Sequence, residues 1–119
     1  MITNIKYELY QAEVESSLAS MVFMSYDFLV KNKMEHLIVV DNYKKVIDGL
    51  LGAADSVVEV LDNLFSAFNS DFPRNFRSMS VSDVVVISFT ENNIVYTKAY
   101  YCDSLGWVGL DVNEFLNLD

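Results

Sequence analysis

Residues 83–102 read DVVVISFTENNIVYTKAYYC. Two β-branched and aromatic runs, DVVVISF and IVYTKAYYC, flank Asn92-Asn93, a residue pair suited to a tight hairpin turn though weaker than Asn-Gly. Both arms are predicted to be strands paired antiparallel. Upstream, residues 56–69 give the clearest helix: Ser56 and Glu59 form the S-x-x-E capping box just before an apolar pattern. Val57, Leu61, Leu64, Phe65 and Phe68 fall on one helical face, Val60 widens it, and Asp62, Asn63 and Ser66 turn toward water. That helix is expected to end in the polar stretch NSDFPRN before Pro73, with Phe72 and Phe76 pinning the turn to the core. At the other end, NIKYELY over residues 4–10 alternates, placing Ile5, Tyr7 and Leu9 on one face and Lys6, Glu8 and Tyr10 on the other.

Between these landmarks the pattern is weaker. Residues 13–32 suggest a helical turn near Glu13 to Ala19 and a second helix capped by Ser25 and carrying Tyr26, Phe28 and Leu29. Met21, Phe23, Met24 and Phe28 read as core. LIVV at residues 37–40 is β-prone but too short to classify. YKKVIDGLL favours a strand, which Gly52 should break. After the hairpin, Asp103, Ser104 and Gly106 suggest a tight turn, and Trp107, between glycines in GWVG, is read as lying in a loop. Asp111 and Glu114 repeat the capping pattern for a short last helix burying Val112, Phe115 and Leu116. The order strand, helix, strand, helix, hairpin, short helix gives an α+β fold: a small, mainly antiparallel sheet with one principal packed helix and short accessory helices. At 119 residues, 52% of them hydrophobic, the chain is expected to form one domain over residues 1–119.

Charge narrows the function classes. Seventeen acids against eight bases give a net charge of -9. Nucleic-acid backbones are bound by clustered Lys and Arg, and here the closest pairs are only Lys31/Lys33, Lys44/Lys45 and Arg74/Arg77, so direct nucleic-acid binding is not expected. Residues 103–119 contain Asp103, Asp111, Glu114 and Asp119 and no base, an acidic stretch that suits a basic protein partner as well as plain solubility. A lone Cys102 forms no internal disulfide, and with His36 it makes too few soft ligands for a structural zinc site; no calcium-loop spacing occurs. No apolar run is long enough to span a membrane, and MITNIKYELYQAE has no signal-peptide pattern, so a cytoplasmic location is the expectation.

Catalytic chemistry finds little support. Cys102 and His36 would have to meet in space to act as nucleophile and base; Cys102, following Tyr100-Tyr101, reads instead as a structural thiol. Ser80, Ser82 and Asp83 in RSMSVSD lack a nucleophile elbow, and their short side chains are expected to bond nearby backbone at the start of the next strand. Asp83 and Asp103 bracket the hairpin ends as a weak carboxylate pair. Gly49 and Gly52 match neither the dinucleotide nor the P-loop pattern. No catalytic, cofactor or metal residue is therefore assigned. Among the aromatics of the C-terminal stretch (Tyr100, Tyr101, Trp107), Trp107 is the residue to test as an interface anchor, with core packing as its first reading.

The C-terminal half resembles the YodL-like domain family. FRSMSVSDVVVI supplies Ser80, Val81, Ser82, Asp83, Val84 and Val85 of an S-x-S-V-S-D-V-V block. AYYCDSLGWVGL supplies Tyr100, Tyr101, Asp103, Ser104 and Gly106 of Y-Y-x-D-S-x-G-F, with Trp107 in place of phenylalanine and Cys102 where valine is common. More loosely, SYDFLVKN is similar to a family helix, and Asn42, Tyr43, Val46, Gly49 and Leu50 fit an N-Y-x-x-V-Y-x-G-x-L segment that favours a strand over residues 43–50. VEVLDNLFSAFNSDFPRNF is similar to the family's helix and its proline-containing exit. Met21-Val22-Phe23-Met24 replaces an arginine-bearing step. The resemblance implies an origin among Firmicutes and their plasmids, conjugative elements and phages, and carries no catalytic residues.

These readings converge on an acidic protein-binding module of mobile-element or phage origin that inhibits a host nucleic-acid-binding defence enzyme by occupying its basic surface. Its candidate interaction surface is Asp103, Trp107, Asp111 and Glu114. A small enzyme of unknown class and a scaffold or assembly domain are the alternatives; the oligomeric state is open.

Overall fold

The computed structural model describes residues 1–12, 23–70 and 75–118. In chain order these form strand β1 (Ile2–Ala12), helix α1 (Tyr26–Lys31), two 3-10 turns (Glu35–Leu37 and Val40–Asn42), strand β2 (Tyr43–Ala54) and helix α2 (Val57–Ala67). Strands β3 (Val84–Glu91), β4 (Ile94–Asp103) and β5 (Gly106–Leu110) and helix α3 (Val112–Phe115) follow. The strands make one antiparallel sheet in the order β2-β1-β3-β4-β5. Because β1 lies between β2 and β3, the β2–α2–β3 segment is a crossover that straddles a strand, and β3–β4–β5 is a meander. The fold is α+β, with a small antiparallel sheet and one principal helix.

The hairpin forms as its sequence suggests. Val84 to Glu91 pair residue by residue with Tyr101 to Ile94, and Asn92 and Asn93 both take positive φ (53° and 65°), the backbone of a two-residue turn that follows the strand twist. Val84, Val85, Val86 and Ile87 are all buried, because β3 is covered on both faces. On one face α2 packs Val60, Leu61, Leu64 and Phe68 against Ile5, Leu9, Val85, Ile87 and Phe89. Burying each such side chain contributes roughly 1.5–3 kcal/mol. On the other face α1, the 3-10 turns and α3 bring Leu29, Ile38 and Phe115 onto Tyr10, Tyr43, Val84, Val86 and Tyr101.

Both capping motifs form. Ser56 Oγ accepts from the Glu59 N–H at 3.2 Å, and the Glu59 carboxylate accepts from the Asp55 N–H, one residue before the cap, at 3.2 Å. Asp111 accepts from the N–H groups of Asn113 and Glu114, both at 3.0 Å. Ser25 caps α1 through the Phe28 N–H.

Several local expectations are corrected. The GWVG segment is not a loop: residues 106–110 form β5, held by ladder pairing to β4 (Tyr101 to Val108, Cys102 to Trp107). Gly52 does not break β2, which runs on to Ala54 because β1 pairs with it as far as Ile2. LIVV, too short to classify from sequence, forms no strand: Leu37 ends one 3-10 turn, Val40 begins the other, and Ile38 and Val39 link them. Phe65 is exposed, since α2 meets the sheet along Val60, Leu61, Leu64 and Phe68. Phe23 and Phe28 are exposed too; Leu29 is the buried member of α1, and Met24 packs at the margin of its core. Phe76 packs edge-on to Phe68 at the end of α2, 5.6 Å between centroids. The turn suggested for Glu13 to Ala19, Met21 and Phe72 lie outside the described residues.

Candidate functional site

Two features stand out, a buried polar knot where strands begin and end, and an acidic cleft above it on the α1/α3 face. The knot is centred on Asp83, immediately before β3 and fully buried. One carboxylate oxygen accepts from the Arg77 guanidinium at 2.8 Å. The other accepts from the Ser80 N–H at 2.9 Å and the Gln11 amide at 3.1 Å. Gln11, near the end of β1 and itself buried, also donates to the Arg77 carbonyl at 3.0 Å, while Arg77 reaches the Ala12 carbonyl at 3.3 Å. Removal from water pushes the Asp83 carboxyl up to about 6, against the opposing pull of Arg77 and the Ser80 and Gln11 donors.

Ser82 completes the knot. It is buried at φ 90°, a conformation that side chains resist. Each of its polar groups is engaged over a long range: its N–H donates to the Cys102 carbonyl at 3.0 Å, its carbonyl accepts from the Tyr43 hydroxyl at 2.7 Å, and its Oγ accepts from the Phe23 N–H at 3.1 Å. Phe23 in turn lies under the Arg77 guanidinium, 5.2 Å from its centroid. Tyr101, buried in β4, donates to the Met24 carbonyl. Ser80 Oγ stays local, on the Ser78 carbonyl. The S-x-S-D motif thus joins the end of β1, the start of β2, the start of β3 and the end of β4. Holding three donors with no surface exposed, Asp83 is placed to hold strands rather than to exchange protons with a substrate.

Cys102 is buried, and desolvation with the nearby Asp83 and Asp103 charges pushes its thiol up to about 12, so it stays protonated and a poor nucleophile at neutral pH. Strand alternation places it on the α2 face with Trp107, its ladder partner, whereas His36 lines the cleft on the opposite face. The two are not brought together. Among the described residues no group of three or more His, Cys, Asp or Glu is placed to hold a metal ion. Among the same residues no helix is long and apolar enough to cross a membrane.

The cleft measures about 310 Å³. Buried Ile38 and Phe115 form its apolar floor, Tyr26 one wall, and Glu35, Asp111 and Glu114 its carboxylate rim, with His36 beside them. Tyr26 is steadied by an edge-on contact to Tyr101 at 5.7 Å. Asp103 lies on the same face, where its carboxylate accepts from the Tyr26 N–H at 3.1 Å and the Ser104 N–H at 2.8 Å. The structure therefore gathers Asp103, Asp111 and Glu114 on one side of the sheet.

Trp107 does not join them. The alternation of β5 turns Val108 and Leu110 toward the α1/α3 face and Trp107 toward α2, where its indole donates to Asp62 at 3.1 Å. The loop reading of GWVG hid this, because only a strand imposes alternation. Of the remaining motif residues, Tyr100 packs on the α2 face, while Ser104 and Gly106 (φ 124°) shape the turn into β5. Sequence reasoning missed Gln11, Arg77 and Tyr43 as members of the knot, and Glu35 and His36 at the cleft. Arg77, six residues before Asp83, carried the one local signal.

The molecule is thus an α+β protein whose straddling crossover and meander are locked by a buried serine–aspartate motif. The chain belongs to the YodL-like domain family, whose model matches residues 6–112. No curated protein matches it, and neither does any solved structure.

Proposed function

We propose that this chain is a protein-binding domain, residues 1–119 acting as one unit, that docks on a basic protein surface through the α1/α3 face. The observation that carries the reading is the cleft: an apolar floor and a tyrosine wall beneath Glu35, Asp111 and Glu114 suit the stem and cationic head of a Lys or Arg side chain. The net charge of -9 supports it by favouring encounter with a basic partner. The family resemblance to mobile-element and phage proteins favours a host nucleic-acid-binding enzyme as that partner, blocked without chemistry and inside the cytoplasm. Trp107 is not part of this interface.

The test begins with capture of the partner from a host lysate, followed by surface plasmon resonance at two salt concentrations. Glu35→Gln combined with Glu114→Gln leaves the Asp111 cap intact. It should slow association and flatten its salt dependence. A folded double variant with unchanged association and salt response rules out this face.

A further inference from the structure

We propose that the chain self-associates through the outer edge of β2, which pairs antiparallel with β2 of a second copy about a two-fold axis near Leu50. Among the described residues, no strand pairs with that edge, and β2 spans 12 residues. Its second half, GLLGAA over residues 49–54, has no charge and no proline, the usual means by which an exposed edge is guarded against pairing. Leu50 is 80% exposed and Leu51 40% exposed. Leu50 stands on the open part of the sheet face, opposite Lys6 and beyond the cover of α1 and α3.

The occupant follows from charge and symmetry. Within an acidic chain, this strand has Lys44 and Lys45 at one end, while Asp55 follows its other end. An antiparallel self-pairing centred near Leu50 brings Lys44 and Lys45 of each copy toward Asp55 of the other, twice by symmetry; Lys45 also pairs within its own chain with Glu8 at 3.4 Å and Asp48 at 3.3 Å, which leaves Lys44 as the freer cation. It also places Leu50 against its own copy. On the α2 side, a groove of about 390 Å³ lies between β2 and the helix, lined by Tyr7, Leu51, Ala54, Leu64 and Phe68. That groove, whose lining also includes Glu59 and Asn63, receives Leu51 of the second copy on its apolar part, the largest side chain residues 49–54 offer on that face.

Sedimentation velocity over a wide concentration range reads the association. The wild type should form a reversible dimer, and the amides of residues 49–54 should gain hydrogen-exchange protection as concentration rises. Leu50→Lys sets like charges across the axis and should raise the dissociation constant about tenfold or more. Asp55→Lys should also weaken the dimer, and adding Lys44→Glu to it, which leaves the Lys45 pairs with Glu8 and Asp48 intact, should restore it in part. If Leu50→Lys fails to fold, the exchange pattern of the wild type decides. A chain that stays monomeric throughout overturns the proposal. So does a dimer insensitive to these changes, or protection of residues 49–54 only by an added extended peptide.

Discussion

The Trp107 indole N–H donates to Asp62 Oδ1 at 3.1 Å, joining β5 to the solvent side of α2. Trp107 is half-buried and packs at the margin of the α2 core. Its role is to fasten the outermost strand of the meander to the principal helix. Trp107→Phe, which installs the aromatic common in the resembling family, keeps the ring contact and gives up the hydrogen bond, a loss of about 0.5–1.5 kcal/mol. Trp107→Ala loses both and should fall toward the upper end of about 0.5–3 kcal/mol. Chemical denaturation measures both. An alanine variant as stable as the wild type would show that the indole fastens nothing.

The buried Asp83 carboxyl gives a pH prediction. Its affinity for a proton rises on folding, from the ordinary value of 3.8 to about 6, through desolvation. The folded state then binds more protons than the unfolded state between these values. The group's contribution is full below the lower value and lost as pH rises through the upper one. Asp83→Asn abolishes the titration and leaves other carboxyls in place. The stability advantage of wild type over this variant should narrow by about 2 kcal/mol between about pH 4.5 and pH 7. An advantage that widens instead would mean that Arg77 and the two other donors overcome burial.

Ser82 separates backbone strain from hydrogen bonding. Its φ of 90° favours glycine, yet its Oγ holds the Phe23 N–H. Ser82→Ala loses the bond and keeps the strain; Ser82→Gly loses the bond and relieves it. The alanine variant should be less stable than the glycine variant by about 1 kcal/mol, with both below wild type. Thermal unfolding of the three proteins tests the order. A Ser82→Ala variant as stable as wild type would show that the Oγ bond contributes nothing, since that change leaves the backbone strain in place.

Local signals account for what was legible in the sequence. The β3–β4 hairpin and α2 announce themselves because alternation, Asn92-Asn93 and the Ser56–Glu59 box are encoded within a few residues. β5 is not so encoded: two of its five residues are glycines, and its strand character comes from pairing with β4. Nor does any short stretch say that β1 lies between β2 and β3, since that order is settled by covering both sheet faces. The candidate site divides the same way. Ser80, Ser82 and Asp83 are conspicuous as a motif, but Gln11 becomes part of it only across 72 residues of chain. The acidic residues were visible as a group, whereas the side of the sheet taken by Trp107 depended on recognising β5.

Gly49 is explained by a cross-strand neighbour. It stands opposite Tyr7 in the β1–β2 ladder, and a Cβ there would lie 2.6 Å from the Tyr7 hydroxyl and 2.7–2.8 Å from two ring carbons. The ring lies directly over the glycine and packs against Phe68 at 6.2 Å between centroids, linking β2, β1 and α2. Gly49→Ala must push this ring aside and disturb its contact with Phe68, a loss of about 1–3 kcal/mol despite alanine's better strand propensity. The clash is specific to the ring, so in a Tyr7→Ala background the same substitution should be neutral or stabilising, because the alanine then only restricts the unfolded chain. A double-mutant cycle by urea denaturation should return a coupling energy of about 1–3 kcal/mol. Additive effects would mean that the consequence of Gly49→Ala does not come from the Tyr7 ring.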